Sequence, residues 1–288
     1  CALAYWFGGM SLFDAVNHAM TTIATAGFTT HDASFAYWNS PLIETIATIF
    51  MLLGGISFSL HWYAWRDATI SHYQANSELR GFLAIAAVFI VIVTVYLMLA
   101  GEIDGYSQSF RAAMFQVVSH ITTTGYASTG FSHWPGMLPI LMIMLAFIGG
   151  CSGSTSGGIK VARVQLVIQQ GLRELKQLVH PKAQFLVTMG GRRVSESVVI
   201  SVAGFCALYI TVYLILVLLL SADGMDLLTA FSAAAACLNN LGPGLGQVAV
   251  HFQALSDFST WLMSFAMLVG RLEIFTILVL FTPAFWQE

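Results

Sequence analysis

The stretch that decides the fold is Arg111-Ala-Ala-Met-Phe-Gln-Val-Val-Ser-His-Ile-Thr-Thr-Thr-Gly125. Two further stretches align with it on the final glycine. They are Phe13-Asp-Ala-Val-Asn-His-Ala-Met-Thr-Thr-Ile-Ala-Thr-Ala-Gly27 and Leu228-Thr-Ala-Phe-Ser-Ala-Ala-Ala-Ala-Cys-Leu-Asn-Asn-Leu-Gly242. Ala15, Ala113 and Ala230 then coincide, as do Ile23, Ile121 and Leu238, and Thr25, Thr123 and Asn240. Gly54, Gly149 and Gly270 follow 27, 24 and 28 residues past those glycines. A series kept in this order is an internal repeat, which takes precedence over any single motif. Each copy is an amphipathic stretch (11–24, 109–122 and 225–238) too short to cross a bilayer, closed by a polar Thr/Asn-Gly turn.

Around these copies the chain is apolar. Of its 288 residues 57% are hydrophobic and 9% charged, whereas a soluble domain carries roughly 25% charged residues. That excludes a cytosolic enzyme, a nucleic-acid-binding module and a disordered regulator. It leaves an all-α polytopic membrane protein. Cys1, Cys151, Cys206 and Cys237 lack metal-ligand spacing and read as buried thiols. A crossing helix needs about 20 mostly apolar residues. Residues 79–100 and 198–220 meet this without interruption. Residues 41–65 and 260–286 are long enough but carry glycine near the middle, and 137–169 is interrupted at 149–158. Residues 1–9 read as the tail of a helix.

Charge sets the orientation. Every Lys and Arg except Arg111 and Arg271 lies in one of three groups: Arg66 and Arg80; Lys160 and Arg163; Arg173, Lys176, Lys182, Arg192 and Arg193. All adjoin the same end of a span, so that side and the C-terminus are expected in the cytoplasm. The opposite side holds Asp14, Asp32, Glu44, Glu102, Asp104, Asp223, Asp226 and Asp257. An acidic mouth raises local cation concentration, although acids also collect wherever bases are excluded. Trp38, Trp62, Trp65, Trp134, Trp261 and Trp286 fit an interfacial aromatic belt. The histidines have no partners at metal-ligand spacing and read as interfacial or capped.

A half-length helix must enter the membrane and return on the same side. Non-helical backbone at that depth survives only inside protein or beside water, so the turns imply a hydrated axis. Carbonyls from such turns can replace the water around a cation, and the short helices would aim their partially negative C-terminal ends at it. The candidate potassium filter is therefore Thr25, Ala26 and Gly27; Thr123, Thr124 and Gly125; and Asn240, Leu241 and Gly242. Any one of these turns alone also fits an ordinary loop. Their threefold alignment favours the filter.

The run Gly149, Gly150, Cys151, Ser152, Gly153, Ser154, Thr155, Ser156, Gly157, Gly158 cannot hold a helix, since each glycine costs ~1 kcal/mol relative to alanine. It lacks the spacing of a nucleotide loop. It reads either as a hinge between two short helices or as a flap across the pore. Arg271 is expected inside an apolar span, where a base costs about 2.5 kcal/mol or more. Glu273, two residues on, faces another direction. Carbonyls or hydroxyls of the 149–158 run are better partners, making flap and arginine one gate; a structural arginine facing a neighbouring helix is the other reading.

At these residues the chain resembles the TrkH/KtrB (Trk/Ktr/HKT) superfamily of potassium transporters, most nearly its bacterial TrkH branch. Residues 24–30, 121–128 and 238–246 resemble its pore loops, 149–160 its intramembrane loop, and Val269-Gly-Arg-Leu-Glu273 its arginine-bearing last helix. The resemblance covers essentially the whole chain. It implies helix–pore-helix–filter-loop–helix units arranged pseudo-symmetrically four times around one pore, potassium as transported ligand with no cofactor, and a homodimer. It also implies a bacterial cytoplasmic membrane location and a cytoplasmic nucleotide-binding regulatory ring of the TrkA kind. The chain divides into 1–77, a unit lacking its first helix, and two complete units at 78–193 and 194–288, with one further unit expected upstream. The third turn departs from the pattern, with Asn240-Leu241 for threonines and Pro243 for an aromatic.

Two rivals remain. A proton- or sodium-coupled secondary transporter would have inverted repeats and a midplane acid; these repeats run in one sense, and Glu273 is the only candidate. An intramembrane enzyme would need a base for Ser152, Ser154 or Ser156, and that span supplies no histidine or carboxylate.

Overall fold

A computed structural model describes residues 1–103 and 105–286; Asp104, placed above among the outer acids, lies outside the described residues. The side chains of Leu278 and Ala284 are likewise not described. Among the described residues, two helices are long and apolar enough to cross a membrane: α6 (Ser77–Ala100) and α10 (Glu196–Ala222). Helix α6 starts where Asn76 Oδ1 accepts the Leu79 N–H, and stops at Gly101 in the left-handed region, φ 68°.

The remaining helices are shorter. They run α1 (Ala2–Phe7), α2 (Leu12–Ile23), α3 (Pro41–Gly55), α4 (Phe58–Arg66), α5 (Ser71–Ala75), α7 (Tyr106–Ile121), α8 (Leu138–Ile148) and α9 (Val161–Val179), followed by α11 (Leu227–Leu238), α12 (Asp257–Arg271), α13 (Ile274–Leu280) and α14 (Pro283–Trp286). A small antiparallel ribbon, β1 (Thr188–Met189) with β2 (Arg192–Arg193), joins α9 to α10.

The three repeated stretches form α2, α7 and α11, of 12, 16 and 12 residues. At 1.5 Å per residue they fall short of the ~30 Å hydrocarbon core. Ser11 caps α2 by accepting the Asp14 N–H, and Asp226 caps α11 by accepting that of Thr229. Helix α7 packs on α6, α3 and α8; α11 packs on α10, α8 and α12. Ala233, Ala234, Ala235 and Ala236 are all buried, and their small side chains let α11 lie close to its neighbours.

Two expected spans are broken. Residues 41–65 do not make one rod: α3 and α4 meet at 93°. The carbonyls of Gly54 and Gly55, left over where α3 ends, accept the N–H groups of Thr155 and Cys151 at 3.3 and 2.8 Å. The incoming 149–158 segment thus supplies the partners that continued helix would have supplied. Residues 260–286 break as well. Helix α12 ends at Arg271, and Glu273 takes φ 58° before α13 begins. Arg271 is therefore at a helix C-terminus, where a cation complements the dipole, and not within one continuous helix. Trp134, expected in the aromatic belt, is buried beside α8 and α10 residues in the main core.

Candidate functional site

Each short helix ends in the same way. Ala24, Thr122 and Asn239 close α2, α7 and α11, and the next residue turns left-handed: Thr25 at φ 47°, Thr123 at 54° and Asn240 at 56°. Thr25 N–H donates to Thr22 O and Ala26 N–H to Thr21 O. Thr123 and Thr124 donate likewise to His120 and Ser119, and Asn240 and Leu241 to Cys237 and Ala236. This double bond pattern is a Schellman ending, whose left-handed position is ordinarily glycine. A β-branched residue there is a genuine outlier and costs about 1–3 kcal/mol, a strain that collects at functional sites.

Two residues on, glycine returns to positive φ at Gly27, Gly125 and Gly242. The first two have no room for a side chain. A Cβ at Gly27 would lie 2.0 Å from the Thr124 carbonyl oxygen, and one at Gly125 would lie 1.8 Å from that of Leu241. So the structure brings turn 25–27 against turn 123–125, and 123–125 against 240–242. At Gly242 nothing among the described residues lies within 4 Å of such a Cβ. Turns 25–27 and 240–242 instead flank a cleft of about 510 Å³ lined by Thr25, Phe28, Leu241, Met263, Met267 and Arg271.

The glycine that follows each turn also has a use. Cβ atoms at Gly54 and Gly270 would sit 3.0 and 1.9 Å from the carbonyl oxygens of Ile23 and Leu238, the matched last residues of α2 and α11. Gly149 differs, since its neighbour is the Gly157 carbonyl within its own segment.

That segment, 149–158, lies across the inner ends of the turns. Thr155 is its anchor: its hydroxyl donates to Ile23 O and Gly54 O at 2.9 and 3.1 Å and accepts from Thr25 Oγ1 at 3.1 Å. Its carbonyl accepts from Arg271 Nη1 at 2.8 Å. Gly157 N–H donates to Thr123 Oγ1 at 2.6 Å. Lys160 Nζ donates to the Ser156 carbonyl. Gly150, Ser152, Gly153, Ser154 and Gly158 complete the fold-back, with Phe58 N–H on Gly153 O and Val161 N–H on Gly150 O.

Several residues that act here carried no signal in the sequence. Glu78 Oε1 accepts both Ser152 N–H at 2.5 Å and Ala162 N–H at 3.3 Å, so one carboxylate fastens the entry and exit of the segment. Only proximity in the fold relates these positions. Tyr126 hydroxyl lies 2.6 Å from Thr21 Oγ1 and 3.1 Å from Thr22 Oγ1, fixing one turn to the neighbouring short helix. Glu273 is bound to Arg163 at 2.7 Å. Glu44, placed above in the acidic mouth, is buried and paired with Arg111, so it adds little field there. His18 and His120 are buried and capped, each with Nδ1 2.8 Å from the carbonyl one turn back (Asp14 and Gln116).

Long apolar helices alternating with short ones that end in strained, mutually touching turns define a helical multi-pass membrane protein of the transport class. A family model described as TrkH, cation transport protein, matches residues 4–288. The Trk system potassium uptake protein TrkH of Halomonas elongata is 45% identical over 288 residues, which is all of this chain and 60% of that protein. TrkG of Escherichia coli K12, also a Trk system potassium uptake protein, is 37% identical over the whole chain and 59% of its own length. The crystal structure of the potassium transporter TrkH from Vibrio parahaemolyticus matches with a TM-score of 0.96 at 45% identity, covering 100% of this chain and 62% of that one. The chain belongs to the TrkH family of cation transport proteins, which are transporters and not enzymes. It spans about 60% of the length of these relatives.

Proposed function

We propose that this chain forms most of the pore of a potassium uptake protein of the bacterial cytoplasmic membrane. The carbonyls of 25–27, 123–125 and 240–242 take over the hydration of potassium, and the 149–158 segment with Arg271 bars or passes the ion. The observation that carries this reading is the triple Schellman turn, with Gly27 against the Thr124 carbonyl and Gly125 against that of Leu241. Three such turns bring the negative ends of α2, α7 and α11 together, which favours a cation. Potassium as the ion rests on the names of the relatives.

In this reading the pore units are 1–77, 78–193 and 194–288. The cleft between Gly242 and Thr25 marks where a fourth turn would close the ring. The barrier works by charge and by volume: Arg271 places a guanidinium on the path just below the turns, tied to Thr155 O. Lys176, Lys182, Arg192 and Arg193 are exposed and present a basic cytoplasmic face suited to a nucleotide-binding regulatory ring of the TrkA kind, while Arg173 behind them pairs with Glu174 and Glu196. That partner, the homodimer and the cytoplasmic C-terminus rest on the resemblance and on the charge asymmetry. The pairing of Glu273 with Arg163 supports this reading over the proton- or sodium-coupled alternative, which would use Glu273 as its acid.

The test is rubidium uptake by the full-length protein in liposomes. Arg271→Ala raises the flux, and uptake proceeds without a proton gradient. Unchanged or lower flux in folded protein, or strict dependence on the gradient, contradicts the reading.

A further inference from the structure

Thr25 and Thr123 hold a strained backbone conformation that glycine would take without cost, so their side chains need a reason to be there. Both are buried. Both hydroxyls reach the 149–158 segment: Thr25 Oγ1, which lies 2.8 Å from the Ala24 carbonyl, also donates to Thr155 Oγ1 at 3.1 Å, and Thr123 Oγ1 accepts Gly157 N–H at 2.6 Å. The third turn is built otherwise. Asn240 Nδ2 donates to Met267 O on α12 at 3.3 Å, and the segment meets this turn only by packing, with Gly157 against the Asn239 carbonyl.

We propose that Thr25 and Thr123 are positioning residues that carry the state of the 149–158 segment into the turns above it, so that gate and filter change together. The inference rests on the filter and gate reading just given and deepens it. When the segment moves aside, Thr155 and Gly157 leave, and the two hydroxyls lose their contacts to the segment, Thr25 keeping only the Ala24 carbonyl beside it. The Thr25 and Thr123 backbones then relax from positive φ. That rotation swings the adjoining peptides and breaks the bonds from Ala26 N–H to Thr21 O and from Thr124 N–H to Ser119 O. The carbonyls offered to the ion turn with them. The 240–242 turn, tied to α12, stays in place and serves as an internal comparison.

The experiment measures the rubidium-to-sodium flux ratio of the full-length protein in liposomes. Arg271→Ala, which frees Thr155, should lower the ratio about fivefold while raising flux, the change one lost hydrogen bond supports. Thr25→Val with Thr123→Val should lower the ratio similarly with Arg271 intact, and Arg271→Ala should then lower it little further. Thr25→Ser with Thr123→Ser, which keeps both hydroxyls, should restore the ratio and its dependence on Arg271. Folding is checked by the melting temperature of each variant, and the serine pair keeps the test decisive should the valine pair fail to fold. A ratio that stays constant while Arg271→Ala raises flux overturns the proposal, as do valine and Arg271 effects that merely add. Gly125→Ala separates the two levels: a ratio unmoved by it removes the filter reading itself, whereas a ratio that falls with Gly125→Ala but not with the threonine variants removes the coupling alone.

Discussion

Replacing Gly157 with alanine tests the segment as a barrier through volume alone. Gly157 is not among the residues at positive φ, so a methyl group there brings no backbone penalty. It would lie 2.0 Å from the Asn239 carbonyl oxygen, where real contacts begin at about 3.0 Å. The segment must therefore retreat by about 1.0 Å, the difference of those distances. Asn239 is buried at the end of α11, so the segment gives way and not the helix. The retreat also stretches the bond from Gly157 N–H to Thr123 Oγ1. Overpacking of this kind costs about 1–3 kcal/mol, all of it charged to the closed state, which corresponds to roughly a 5- to 150-fold rise in open population. Rubidium uptake into liposomes by the full-length protein reads this directly. Gly171→Ala is the control, since nothing described lies within 4 Å of a Cβ on that face of α9. Folded Gly157→Ala protein with wild-type flux would refute the account of the segment as a gate.

Other outcomes follow from the same contacts. Glu78→Ala, which releases both ends of the segment, should raise flux, and Glu78→Gln, which keeps an acceptor oxygen, should raise it less; equal effects would show that the carboxylate is no latch. Glu44→Gln should destabilise the protein by about 3 kcal/mol, the low end for breaking a buried pair, because Arg111 donates to both carboxylate oxygens at 2.7 Å but is itself partly wet. A denaturant midpoint unchanged by that substitution would contradict it. Asp223 accepts from the hydroxyls of Ser256 and Ser259, which hold its carboxyl below the ordinary value of 3.8. A depressed folded pKa stabilises the fold above the unfolded value, and that contribution is lost as pH falls through the folded one. The melting temperatures of wild type and Asp223→Asn should thus differ near neutral pH and converge as pH falls from the ordinary value of 3.8 through the lower folded one; a gap that persists in stronger acid would exclude this link.

Much of the fold was legible because membrane spans announce themselves by composition and the repeat by its aligned glycines. The uninterrupted runs 79–100 and 198–220 lie within α6 and α10, since nothing in them competes with helix. The breaks were legible only where glycine is dense, as at 149–158. At 41–65 the sequence shows two glycines in an apolar run, and the 93° bend goes with the docking of Thr155 on the Gly54 carbonyl and Cys151 on that of Gly55. A contact from a segment about a hundred residues away leaves no local trace. The same holds for Glu78, an ordinary first-turn glutamate until the fold sets it beside Ser152 and Ala162. Arg271 was placed within a continuous helix because the hydropathy runs on past it; the left-handed Glu273 and its Arg163 pair, where α12 ends, are tertiary facts. The strain at Thr25 and Thr123 was hidden for a different reason, since propensity assigns glycine, not threonine, to a left-handed cap.

The most direct measurement is a crystal structure of the full-length protein grown with rubidium, read by its anomalous signal. The account predicts density on the line bounded by turns 25–27, 123–125 and 240–242, within reach of their carbonyl oxygens and above Arg271. Rubidium bound elsewhere, with those turns empty at saturating concentration, would contradict it.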